Sequence, residues 1–185
     1  MFGRDRGRLR PPPFFCLLAG LLLASCSDPI PVGAFGTGPA LDPVRFFTGT
    51  VRSWGVIEDR RGQPTQIVTT DCQGEAEGPD GLHMLQRLHV GTDEVTTRDW
   101  HMRRVGPGRY EAIANDLVGT ARGEAAGRAF HWQWVLALEP GNPVKNVTMD
   151  QWWYLMDDGS MLNRTTIRKL GVILAEVTEH FVRGG

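Results

Sequence analysis

The sequence has no run of roughly 20 apolar residues, the length that a helix needs to cross a bilayer; its longest apolar stretch is Phe14 to Ala24. Downstream of Arg10 there is no cluster of Lys and Arg, which argues against nucleic acid as a partner. No G-x-S-x-G elbow joins a serine to a helix, and no nucleophile, base and acid stand in a recognisable pattern, so the expectation is a protein that is not an enzyme, with no catalytic residue. Apolar residues nowhere recur at helical spacing over a long window, and there is no internal repeat. Three cysteines among 185 residues are too few for a disulfide framework.

The apolar stretch that is present has a definite layout. Arg4, Arg6, Arg8 and Arg10 precede it, and it ends on the small residues Ala24 and Ser25 before Cys26. Basic, apolar and small-residue regions in that order read as a cleaved secretory signal over residues 1–25. Leu23-Ala24-Ser25-Cys26 resembles the lipobox of bacterial lipoproteins. The resemblance implies acylation of the Cys26 thiol, cleavage before it, and anchoring of the chain to a membrane by its lipids. Ser27 in place of an aspartate favours the outer membrane, facing the periplasm, under the enteric sorting rule. Four of the 20 basic and one of the 21 acidic residues precede Cys26, so the remainder is mildly acidic at net −4. Cys16 goes with the signal and Cys26 with the lipid. Cys72 then stands alone and is expected to be buried.

Residues 26–40 are rich in Pro and Gly, without a period, and read as a lipidated N-terminus and flexible tether. From Leu41 to Gly185 the pattern changes to β-branched and aromatic runs, broken by turn signals every eight to twelve residues. The first strand is expected from Phe46 to Ile57. Leu82, Met84, Leu88 and Val90 alternate with His83, Arg87 and His89. Phe130, Trp132, Trp134, Leu136 and Leu138 form the cleanest period-two face in the chain. Gly106-Pro107-Gly108 should pair Val105 with Arg109 and Arg103 with Glu111. Asp158-Gly159, read as a two-residue turn, would set Leu155 opposite Leu162, Trp153 opposite Arg164 and Tyr154 opposite Asn163. Both faces of that hairpin mix aromatic and polar groups, which suits a barrel with a partly polar lumen. The expected fold is all-β: an antiparallel up-and-down barrel of nine or ten strands, calycin or lipocalin-like.

Three passages carry a family resemblance: Trp54-Gly55-Val56-Ile57-Glu58-Asp59; Gly108-Arg109-Tyr110-Glu111 through Gly123; and Trp153-Tyr154-Leu155-Met156-Asp157-Asp158 through Thr178. Together they resemble an uncharacterised family of bacterial lipoproteins, domain of unknown function 3833. The resemblance implies lipocalin-like architecture and brings no activity or catalytic residue with it.

Candidate chemistry is weak by comparison. His83 and His89 lie about 20 Å apart along one strand, too far to share an ion, and no metal or cofactor is expected. Six tryptophans offer apolar area with a polar handle, and one of Arg98, Arg122 and Arg164 is expected inside the barrel. The candidate ligand-binding residues are Trp54, Trp100, Arg122, Trp153, Tyr154 and Arg164. The functional expectation is an envelope lipoprotein that holds a hydrophobic or amphipathic small molecule, lipid-like in kind. The competing one is an accessory protein with a filled barrel and a docking surface.

Overall fold

The computed structural model describes residues 30–35, 38–91 and 94–184. The expected signal, the lipid site at Cys26 and the start of the tether lie outside them. Ten strands follow one another in sequence: β1 (Gly49–Asp59), β2 (Pro64–Glu77), β3 (Gly81–Val90), β4 (Glu94–Gly106), β5 (Arg109–Ala114), β6 (Ala121–Ala126), β7 (Ala129–Ala137), β8 (Asn146–Leu155), β9 (Met161–Lys169) and β10 (Val172–Arg183). Each pairs antiparallel with its neighbour in the chain, and β1 pairs with β10, which closes the barrel. The expected up-and-down barrel is therefore what the chain forms. Closure leaves no strand edge for another chain to extend.

Strand alternation divides the residues into a lumen set and an outer set. In β1, Val51 and Ser53 are buried between exposed Arg52 and Trp54. In β7, Phe130, Trp132 and Trp134 point inward, as their period predicts.

The chain before β1 departs from expectation. Phe46 and Phe47 do not start a strand; they end a short helix, α1 (Pro43–Phe47). The preceding residues dictate this. Asp42 is an N-cap whose Oδ1 accepts from the backbone N–H of Val44 at 3.1 Å and of Arg45 at 3.4 Å, and Pro43 takes the first helical position. Asp42 also binds Arg104 and, at 3.3 Å, the Tyr110 hydroxyl, which ties the helix to β4 and β5. The helix seats Phe47 (2% exposed) against Trp153 and Phe181, with ring centroids 5.3 and 5.8 Å away. It plugs one end of the barrel. Gly74 in β2 makes room, since a Cβ there would lie 1.9 Å from the Phe47 carbonyl oxygen. Within the expected tether, Val32–Phe35 forms a 3-10 turn with Val32 buried and the Phe35 ring 5.0 Å from that of Tyr154.

Two turns also differ in detail. At Gly106-Pro107-Gly108, Arg103 does face Glu111, but Val105 is bulged out and Gly106 takes the place opposite Arg109. At the β8–β9 turn the loop has three residues. The Met156 N–H donates to Ser160 O, the Gly159 N–H donates to Met156 O, and Gly159 has φ 79°. Asp158 Oδ1 accepts from both the backbone N–H and the hydroxyl of Ser160. This wider loop moves the register by one residue: Leu155 faces Met161, Tyr154 faces Leu162, Trp153 faces Asn163 and Trp152 faces Arg164.

Phe47→Ala should destabilise the barrel by about 3–5 kcal/mol, because the closely packed plug cannot collapse into the space. Urea unfolding followed by tryptophan fluorescence measures it; a loss well below 1 kcal/mol would refute the role of the plug.

Candidate functional site

Beyond the plug the lumen holds a cavity of about 190 Å³, bounded at the far end by Ile57, Val90, Leu136 and Ile167. Larger depressions, about 550 Å³ beside Asp80 and His101 and about 540 Å³ beside Arg122 and His131, are grooves on the outer face with charged rims. The lumen is where apolar walls, indoles and buried polar groups converge.

Three indoles line its centre. Trp100 from β4 lies with its ring 5.2 Å from both Trp132 and Trp134 of β7. Each indole N–H, buried in an apolar setting, needs an acceptor, and two glutamines supply them. Trp100 Nε1 donates to Gln86 Oε1 at 3.0 Å; Trp132 and Trp134 both donate to Gln151 Oε1, at 2.7 and 2.8 Å. Gln151 Nε2 in turn donates to Thr165 Oγ1 at 2.9 Å.

From Thr165 the polar network reaches a buried carboxyl. Asn163 Nδ2 donates to Glu179 Oε2 at 2.8 Å, and the hydroxyls of Ser53 and Thr70 donate to Oε1 at 2.8 and 3.2 Å. Burial raises the Glu179 pKa above the ordinary carboxyl value; the hydrogen bonds from Ser53, Asn163 and Thr70 and the charge of Arg98 oppose the rise without cancelling it. The lumen thus holds an acid with an unusually strong grip on its proton.

Arg98 marks the side toward the far end. It is 8% exposed, its Nε donates to Asp116 Oδ2 at 2.6 Å, and its guanidinium lies 5.1 Å from the Trp134 ring centre. Asp116 Oδ1 is buried and accepts no hydrogen bond from the described residues. Cys72 is fully buried and free, and burial pushes its thiol pKa far up, so it is packing rather than a nucleophile.

The residues singled out from sequence divide between the two faces. Trp100 and Trp153 line the lumen. Trp54 is 54% exposed on the outer face, because Ser53 takes the inward position beside it. Arg122 also points out: its neighbours Ala121 and Gly123 alternate with it, and its Nε donates to Glu111 at 3.3 Å. Tyr154 is next to inward Trp153 on β8, so alternation places it on the outer face, its ring 6.2 Å from that of Trp152; Arg164 is turned outward by the one-residue register difference and donates to Glu176 at 3.0 Å. The arginine inside the barrel is Arg98. It, Glu179, Gln151 and Asn163 were missed as site residues, although Arg98 and Glu179 share the period-two faces of Trp100 and Phe181 respectively.

As pH rises from 4.5, the ordinary glutamate value, the carboxyl of an unfolded chain ionises while that of Glu179 resists. The folded chain then holds more protons, so Glu179 contributes its full stability below that value and loses it as pH climbs through the raised folded pKa. Glu179→Gln should remove this loss. Melting temperatures of parent and variant should converge in acid and separate toward neutral pH in favour of the variant; parallel curves would refute a raised pKa.

A solved structure, the S-type phycobiliprotein lyase CPES from Guillardia theta, is similar in fold at TM-score 0.54 and 9% sequence identity, over 77% of this chain and 90% of that one. No curated protein matches the sequence. The family model described as a protein of unknown function, DUF3833, matches residues 20–183, and the chain belongs to that family.

Proposed function

We propose that this protein is a lipid-anchored binding module of the bacterial envelope, held at the outer membrane through Cys26, whose barrel takes the apolar part of a small amphipathic molecule. The observation that carries this is the lumen itself. A cavity of about 190 Å³ walled by indoles, Met84 and Met149 meets the Arg98–Asp116 pair on one side and the Glu179 network on the other. A barrel selected for stability alone would be filled with apolar side chains, since each buried polar group costs free energy unless fully satisfied. The volume is below the roughly 300–1,000 Å³ of drug-sized sites, so a ring or one short chain enters and the rest of the ligand stays at the far end. There Arg98, held by Asp116, presents a cation, a match for a head group that carries a carboxylate or hydroxyl. The lyase of similar fold acts, by its name, on phycobiliproteins; at 9% identity it lends support to a barrel that handles a ligand or partner, and none of its residues carries over.

Four tryptophans line the cavity, so ligand entry reports itself in their fluorescence. Decanoate should quench or shift the emission of the full-length protein in a saturable way, and Arg98→Leu should weaken decanoate about tenfold or more while leaving decanol nearly unchanged. Equal weakening of both probes would refute the head-group role of Arg98. If no probe binds and native mass spectrometry of protein taken from membranes shows no companion molecule, the barrel is a filled scaffold for an accessory role.

Cys26→Ser should release the protein from the membrane fraction and abolish acylation. Persistence of acylated, membrane-bound protein in that variant would refute the anchor.

A further inference from the structure

The outer wall of β3 and β4 holds a constellation that plays no part in the lumen. His83 and His101 sit directly opposite each other in the β3–β4 ladder, and Asp99 lies two residues before His101 on the same face. The two imidazoles stack with centroids 4.6 Å apart and planes 7° from parallel. Both Nε2 atoms approach one carboxylate oxygen: Asp99 Oδ1 is 2.7 Å from that of His83 and 3.8 Å from that of His101. One ligand atom from each of the three residues can be chosen so that all lie within 4.8 Å of one another.

We propose that His83, Asp99 and His101 form a binding site for a divalent transition-metal ion of the zinc class. Tetrahedral bonds of about 2.0–2.1 Å put neighbouring ligand atoms roughly 3.3 Å apart. The separations of 2.7 and 3.8 Å from Asp99 Oδ1 bracket that edge, and the third separation is within 4.8 Å, so small side-chain adjustments suffice to gather the three ligands about one ion. Two imidazoles and a carboxylate are a donor set that suits zinc and its neighbours better than calcium or magnesium. The supporting contacts are also in place. Glu77 Oε1 lies 3.3 Å from His101 Nδ1, placed to accept its N–H in the metal-bound form, in which Nε2 is the ligand. The backbone N–H of Asp99 donates to Asn115 Oδ1 at 2.8 Å, and Asn115 Nδ2 donates to Thr97 O, so the ligand strand is pinned. Glu75 stands opposite His83 in the β2–β3 ladder, adding negative charge that favours a cation. His101, the most exposed of the three, also lines the outer groove of about 550 Å³, which gives the site access to solvent.

This site is independent of the lumen and of the lipid anchor. Isothermal titration of zinc into the full-length, untagged, chelator-stripped protein should show one saturable equivalent, with cobalt giving visible d–d absorption of low-coordinate geometry. His101→Ala, His83→Ala and Asp99→Asn should each weaken zinc by tenfold or more. Glu77→Gln, which removes a positioning group, should weaken it by about tenfold. His131→Ala, which breaks the other close His–Asp contact, with Asp150 at 2.7 Å, should leave zinc binding unchanged. The four ligand-side residues are partly exposed, so the metal-free melting temperature should stay at the parent value, and zinc should raise that of the parent but not of His101→Ala. Absence of saturable binding, or binding that His101→Ala leaves intact, overturns the proposal.

Discussion

Pairing of β1 with β10 is the constraint on which the rest of the structure depends. From Val51↔Arg183 to Asp59↔Ala175 the two strands run in unbroken register, and that seam turns a ten-strand ribbon into a tube. Once closed, every strand must send its inward residues into the same narrow space. Large side chains on one strand have to meet small ones on another: β7 sends in Phe130, Trp132 and Trp134, and β6 answers with Ala121, Gly123 and Ala125. The packing of the lumen is thus a property of the circle, and no single hairpin contains it.

The same closure explains the polar network. Ser53, Thr70, Asn163, Thr165 and Glu179 come from β1, β2, β9 and β10, the four strands about the β1–β10 seam, and each is buried. Isolated in an apolar interior, any one would cost more than it returns. Together they satisfy one another, and Gln151 extends the chain of hydrogen bonds to two tryptophans. The network holds the indoles in place, while burial keeps one acid hard to ionise against the pull of its hydrogen bonds; together they suit a lumen used for recognition better than one used only for packing.

The N-terminal side binds the tube from below. Asp42 caps α1 and at the same time holds Arg104 and Tyr110, so a local helix signal and a long-range ion pair share one carboxylate. Val32–Phe35 is seated as well, with Val32 buried and the Phe35 ring against that of Tyr154.

Much of this was legible without coordinates. The period-two runs of β3 and β7, the place of the turn at Gly106-Pro107-Gly108, and the all-β character follow from local alternation and turn chemistry, which act within a few residues. The inward positions of Trp100 and Trp132 followed as well. What local pattern could not settle was phase. At Asp158 a side chain bonded to Ser160 widened the turn by one residue, and that small change placed Asn163 rather than Arg164 beside Trp153 in the lumen. Glu179 was hidden, and Arg98 stood only as one of three arginines for the lumen, for a related reason: a charged residue on an apolar face reads as an error in the pattern until partners from elsewhere in the chain, Ser53 and Asp116, are seen to satisfy it. His83 and His101 lie 18 positions apart and become neighbours through the β3–β4 register. Which residues alternate and where the chain turns depend on adjacent side chains and can be read along the chain; which faces meet depends on register and closure, which the whole ring sets at once.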